Sequence, residues 1–371
     1  MKTLTHHYRA RNAARTSGFT LLELMIALAI GVVVLGGLLS FFSNSSSAFS
    51  ELKKSAEHTV NGSMAMWVLT QDINHAGYYG EFYTLPPAGT ALPDPCLTAP
   101  ADIYSALAFP VQGYDVPVAS PPLSCLSTAN YLPGTDILVV RYAEYTPLAP
   151  TDVADTGEVY LQGTSNLAEV QIGTGNAVGN FMADGTTPAD IFQKDGATAA
   201  NIRKLAVHIY FIARCSVPAD GGDNCTGASD DGGSPIPTLK RLELTAVAGV
   251  PGWRISPLVE GVRNLQIDYG IDNAPAIQNS MTNQPGDGAP DTYTALPATP
   301  LDWTNVVSVR LNFIAQSTQL TASYVDTKTY NLGLASLPPG APFSYPDAFK
   351  KHLFVGTARL NNVSGRREIP Q

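Results

Sequence analysis

Residues 15–42 read RTSGFTLLELMIALAIGVVVLGGLLSFF. From Leu24 to Leu39 no side chain is charged or strongly polar. With Phe19–Leu22 and Phe41–Phe42 the apolar run reaches about 20 residues, enough to cross a bilayer as a helix. Lys2, Arg9, Arg11 and Arg15 precede it, with no acid anywhere in residues 1–18. That asymmetry predicts a cytoplasmic head and a body on the far side of the membrane. An ordinary secretory signal has a shorter apolar core followed by its cleavage site. Here the processing signature, Gly18–Phe19, lies before the core. A cut there removes the basic head and leaves the membrane helix on the mature chain.

Glu23 interrupts the apolar run, fifth in the chain that begins at Phe19. An acid at the centre of a membrane helix costs about 2.5–3.5 kcal/mol on insertion scales, and less near a face, so a partner is expected. The new amine of Phe19 would be positive at neutral pH. In a stack of such helices, Glu23 of one subunit would meet the amine of the next, neutralising both charges and setting the axial register. Thr20-x-x-Glu23 also fits a capping box.

Gly18-Phe19-Thr20-Leu21-Leu22-Glu23 followed by the apolar run resembles the class III signal of type IV prepilins and type II secretion pseudopilins. The resemblance implies cleavage after Gly18 and N-methylation of Phe19 by a prepilin peptidase, with Glu23 as the filament-assembly residue. Many such pilins carry a proline late in the apolar helix. This chain has Ser40 there, with Gly31, Gly36 and Gly37 upstream. Glycine weakens a helix by about 1 kcal/mol relative to alanine, so Gly36-Gly37 is the expected site of local helix melting in a filament.

The helix is expected to continue to Tyr78 and end at Gly77-Tyr78-Tyr79-Gly80, about 90 Å from Phe19. Phe49, Leu52, Ala56, Val60, Ser63 and Trp67 recur at three- and four-residue steps, one apolar stripe. That stripe is expected to face the core of the body, with Lys53, Lys54, Glu57 and His58 on the opposite side. The organisation read from this is a leader (1–18), a transmembrane and filament-core helix (19–42), an amphipathic continuation (43–79) and a β-rich body (80–371).

The chain has 371 residues, net charge −9, 14% charged side chains, 32 glycines and 28 prolines. Such a composition suits strands joined by long ordered loops. From residue 19 onward it carries 18 basic and 31 acidic side chains, which disfavours nucleic acid as a partner. Strands are expected at Asp136–Tyr142, Glu158–Gln162, Glu169–Gly173, Leu205–Arg214, Leu239–Thr245, Val262–Tyr269, Val306–Phe313 and Leu353–Leu360. Several alternate apolar and polar residues, as half-buried antiparallel strands do. Leu205–Arg214 and Leu239–Thr245 should form a long hairpin. Residues 84–135, rich in proline and glycine, read as a large held loop. The fold class is therefore α+β and pilin-like: a long N-terminal helix packed on a large antiparallel β-rich periplasmic domain with long loops.

The four cysteines form no CxxC and have no histidine cluster beside them, so they read as disulfides in an exported chain. Nearest-neighbour pairing gives Cys96–Cys125 and Cys215–Cys225, although three connectivities are formally open. Such closures stabilise by about 2–4 kcal/mol. GxSxG, HExxH and phosphate-binding glycine loops are all missing, and His6, His7, His58, His75, His208 and His352 show no ligand spacing. His208 reads as a structural or exposed strand residue. Asp220, Asp223, Asp230 and Asp231 lie among glycines, a setting that can suit calcium. Their spacing is not that of an EF-hand, and solvated turns have the same composition. No metal, cofactor or enzymatic activity is expected.

Further segments resemble PilW-type minor pilins: Gln71-Asp72-Ile73-Asn74-His75-Ala76-Gly77-Tyr78-Tyr79-Gly80, Leu258–Val262, Leu265–Gly270, Val307-Ser308-Val309-Arg310 and the ending Leu353–Asn362. Where that family's ending usually has Arg-Asn, this chain has Leu360-Asn361. The resemblance implies a low-abundance inner-membrane pilin that moves to the pilus, near its tip. Its implied partners are other minor and major pilins, the prepilin peptidase, the inner-membrane assembly platform and a PilY-type tip adhesin. A type II secretion minor pseudopilin shares the N-terminus. A surface-binding module using the loops at 84–135, 174–200 and 272–302 is the alternative of another class.

Overall fold

The computed structural model describes residues 18–115, 121–149, 152–175, 191–273, 286–334 and 342–368. The basic head, including Lys2, Arg9, Arg11 and Arg15, residues 176–190 of the 174–200 loop and residues 274–285 of the 272–302 loop lie outside the described residues. The chain divides into two units, residues 1–53 and 54–371.

Helix α1 runs from Leu21 to His75 without a break, Gly36 and Gly37 included. In the first unit its apolar side chains stand in the open: Phe19 is 90% exposed and Val33 75%. The 18-residue window that is apolar enough to span a membrane has none of its residues buried.

In the second unit the helix lies on a β-rich body made of α2 (Pro100–Ala106), β1 (Val111–Tyr114), β2 (Ile137–Ala143), β3 (Val159–Gly163), β4 (Ala168–Ile172), β5 (Ile202–Ala213), β6 (Thr238–Val247), β7 (Val250–Glu260), β8 (Val262–Ile271), β9 (Thr292–Thr294), α3 (Pro300–Thr304), β10 (Val306–Gln316), β11 (Thr329–Tyr330), β12 (Phe343–Ser344), β13 (Lys351–Arg359) and α4 (Asn361–Ser364). One sheet runs β1-β2-β5-β3-β4, with β6 paired to β5 and β7 paired to β6. A second runs β13-β10-β8-β9. All their pairings are antiparallel.

All eight expected strands form. The expected hairpin also forms, with Ala213 opposite Thr238 and His208 opposite Glu243. The half-buried reading holds only in part, because β2 and β5 are covered on both faces. Leu138, Val140, Tyr210 and Ile212 face one core, with Ala65, Leu69 and Ile73 of the helix and the strands of the second sheet. Ile137, Val139, Val207, Ile209 and Phe211 face another, closed by Tyr79, Phe82, Ile103, Leu107, Leu123 and Leu126. Residues 79–115 and 121–131 thus form a third layer over the outer face of the sheet, which holds these glycine- and proline-rich stretches in place. Disulfide Cys96–Cys125 ties this layer together and Cys215–Cys225 closes the loop between β5 and β6. Nearest-neighbour pairing is therefore the connectivity found.

Five strands were not expected, the short β1, β9, β11 and β12 and the long β7, whose Pro251 and Pro257 argue against a strand. Strand β7 pairs only with β6, and proline is tolerated at a sheet edge because its missing N–H costs no ladder bond there. Between β6 and β7 the chain turns on two residues, Ala248 (φ 51) and Gly249 (φ 80). Two left-handed residues make a tight hairpin turn that favours Asn-Gly over Ala-Gly. Ala248→Asn is expected to recover part of the roughly 1–2 kcal/mol that a left-handed alanine costs. A higher thermal midpoint with an unchanged spectrum of the folded protein would register the gain.

Candidate assembly site: the N-terminal helix and its seat on the body

At the start of α1 the Thr20 side chain accepts from the Glu23 amide at 3.2 Å, while Glu23 Oε2 accepts from the Thr20 amide at 2.9 Å and from its hydroxyl at 3.0 Å. This reciprocal pair is a capping box, and it satisfies two amides that the helix cannot. Gly18 has nothing within 4 Å of a built Cβ. Among the described residues no other part of the chain packs against Gly18, and Glu23 holds its own helix start in the single chain.

The second half of α1 is seated the other way round from the sequence expectation. Its buried residues are His58, Gly62, Ala65, Leu69, Asp72 and Ile73. Phe49, Leu52, Val60 and Trp67 of the expected core stripe are 57–71% exposed. The faces are swapped because the helix is docked by close approach and by polar anchors rather than by bulk. A Cβ on Gly62 would stand 2.1 Å from the Phe354 ring, and Met66 lies against Gly356. Polar bonds run along the same side: Lys54 Nζ donates to the Leu320 carbonyl at 2.8 Å, Thr318 Oγ1 to Glu57 at 2.5 Å and Asn61 to the Glu260 carbonyl at 3.1 Å. A hydropathy stripe cannot register that a glycine buries helix backbone.

Near its C-terminal end the helix carries a buried acid. Asp72 accepts from Tyr210 at 2.5 Å and from Tyr142 at 3.0 Å, and it is paired with His208 Nδ1. Burial pushes the Asp72 carboxyl up, but the bonds from His208, Tyr210 and Tyr142 together outweigh it and hold its pKa below the ordinary value. Asp72 thereby joins the helix to β2 and β5. His208 is structural, as one of the two sequence readings had it. The cluster itself was missed. Its only trace in sequence is the shared strand face of His208 and Tyr210 and an acid within the last helical turn. Past His75 the chain leaves through Gly77 (φ 74), whose amide donates to the Arg141 carbonyl at 2.9 Å. Arg366 and Asn362 return from the C-terminus to cap the carbonyls of Gly77 and His75.

The acidic loop is a scaffold. Asp230 accepts from the amides of Ala219, Thr226 and Gly227 and from the Thr226 hydroxyl. Burial opposes ionisation there, yet these donors hold its pKa at about 2. Asp231 accepts from the amides of Ser216, Val217 and Ile236. Cys215, Cys225 and Asp230 converge closely enough for a metal, but the sulfurs are spent in the disulfide and the carboxylate in loop bonds.

A family model for type IV pilus-assembly protein W matches residues 222–362, and one for the prokaryotic N-terminal methylation motif matches residues 14–39. Together the two matches support a PilW-type type IV pilin. No curated protein and no solved structure matches it. The PilW match runs from the Cys215–Cys225 loop into α4 and takes in both central strands of the second sheet, where Arg310 lies opposite Asp268 and Phe313 opposite Leu265. The methylation motif covers Gly18, Phe19 and Glu23 together with the exposed apolar helix. A membrane-anchored minor pilin accounts for that helix: it needs lipid or other helices around it, and water satisfies neither requirement. The same matches support an interaction with other pilins and the pilus-assembly machinery.

Proposed function

We propose that this PilW-type pilin is made as an inner-membrane precursor with its basic head in the cytoplasm and its body in the periplasm. Prepilin peptidase cuts after Gly18 and methylates Phe19. The apolar helix then leaves the bilayer for a bundle of like helices, where Glu23 gives up its capping bonds to meet the amine of a neighbouring Phe19. Gly36-Gly37 is the place where the helix opens as it packs. The subunit sits near the tip, primes assembly with other minor pilins and helps display a PilY-type adhesin. Its role is structural rather than catalytic.

The observation that carries this reading is the coincidence, within residues 14–39, of the methylation motif, a Gly18 against which no described residue packs and an apolar helix with none of its spanning window buried. The mature protein from sheared filaments should begin at methylated Phe19 by N-terminal sequencing and mass. Gly18→Ala should leave the head attached and abolish incorporation. An intact N-terminus in the filament fraction would end the proposal. Recovery in pili, rather than loss of enzyme export with pili intact, separates the pilin from a secretion pseudopilin.

The outward stripe extends this reading along the helix. Val60 and Trp67 carry apolar surface that the body does not use. Trp67→Glu is expected to leave thermal stability within about 0.5 kcal/mol, as an exposed change does, while reducing the subunit's recovery in filaments. Normal recovery would confine helix packing to residues before 50.

A further inference from the structure

A cavity of about 620 Å³ opens between the Cys215–Cys225 loop, the N-terminal end of β8 and the 345–349 loop. Two arginines line it, Arg214 and Arg263. Arg214 is anchored by its Nε, which donates to the Tyr131 carbonyl at 2.9 Å. Arg263 is anchored by its guanidinium lying 5.0 Å from the centre of the Tyr345 ring. Among the described residues neither forms an ion pair. Each is therefore oriented through one anchor, with donors to spare.

The two acids on the same wall are already committed. Asp230 accepts four loop hydrogen bonds, and Asp347 is paired with the buried Lys351. Leu132, Pro235, Pro237 and Phe349 supply the apolar part of the lining. The wall is rigid before anything binds, because the disulfide and the Asp230 and Asp231 bonds fix the loop. Preorganisation of this kind spares the ordering cost of binding.

We propose that this cavity receives an acidic side chain carried on an apolar peptide segment of another pilus subunit. The carboxylate meets the free donors of Arg214 and Arg263, and flanking apolar side chains lie on the prolines and Phe349. Charge selects among anions. Asp230 and Asp347 beside the arginines disfavour a phosphate dianion, and a body with 18 basic and 31 acidic side chains is repelled by an anionic membrane. A single carboxylate is the anion that two anchored guanidiniums accept most readily in such a field.

The proposal rests on the reading of this chain as an assembly subunit. The full chain in neutral detergent would be titrated with N-acetyl-Leu-Asp-Leu-amide and with its Asn counterpart, followed by saturation-transfer NMR. The Asp peptide should bind about tenfold more tightly than the Asn peptide, as expected for charge-assisted bonds. Arg214→Gln and Arg263→Gln should each remove that preference while the melting temperature stays near that of the parent. Equal binding of the two peptides would overturn the site. So would a preference that survives both substitutions, or stronger competition from inorganic phosphate or anionic vesicles than from the carboxylate peptide. If Arg263→Gln fails to fold, Arg214→Gln decides, since that side chain stands at the exposed end of β5. A Gly18→Ala chain that still enters pili would sink the assembly reading and leave the peptide result untouched.

Discussion

Asp72→Ala should destabilise the folded body by about 3–5 kcal/mol, the range for removing one partner of a buried charged network. Three side chains lose their acceptor at once: His208 Nδ1, Tyr210 and Tyr142. Each is then left under the helix, where water reaches it poorly. The same network predicts an acid sensitivity. The folded-state pKa of Asp72 lies below its ordinary value, so its stabilising contribution is complete above the unfolded pKa of about 4 and is lost as pH falls through the folded value. Urea melts of the parent between pH 7 and 3 should show stability falling at the acid end. In Asp72→Asn, which keeps the shape and loses the charge, that slope should flatten. A parent and variant with the same slope would mean that other carboxylates govern acid unfolding.

Gly62→Leu is the second large effect. An ideal Cβ at Gly62 already stands 2.1 Å from Phe354 Cε2. The ring has little freedom to retreat, because it stacks on Phe313 at 5.3 Å and meets His352 edge-on at 5.0 Å. Leucine is the better helix former by nearly 1 kcal/mol, yet overpacking costs about 1–3 kcal/mol. The substitution must also lift the helix from β13. The expected result is a lower melting temperature together with faster amide exchange in residues 54–66, while residues 67–75, held by Asp72, stay protected. Gly62→Leu with unchanged exchange would show that the helix seat is softer than the contact implies.

These two residues mark where the sequence was legible and where it was not. The strands of both sheets could be read because apolar runs of the right length are bounded by turn residues, and this pattern is local. Edge strand β7 was hidden by Pro251 and Pro257, whose tolerance depends on a neighbour being absent from one side. The seat of α1 was read backwards. An exposed stripe of Phe49, Leu52, Val60 and Trp67 looks like a core stripe whenever the helix is considered alone. In a subunit made to be packed a second time, the more apolar face can belong to the later partner. Burial on the first partner is then left to Gly62, Ala65 and Leu69. The same holds for the cavity beside Cys225. Arg214, Arg263 and Gln316 are distant in sequence and meet only because β5, β8 and β10 end at the same side of the body.

The sequence alone determined the N-terminal segment. Gly18, Phe19, Glu23 and the apolar run are contiguous, so the methylation motif they form can be read without a fold. It also determined the α+β class, since strand period, helix length and paired cysteines are properties of short windows. Tertiary structure alone decided which side of the helix the body keeps, which acid is buried under it, and which arginines are left without acids. These depend on how closely two backbones approach and on which buried charges find donors, and both are settled between residues that the chain holds far apart.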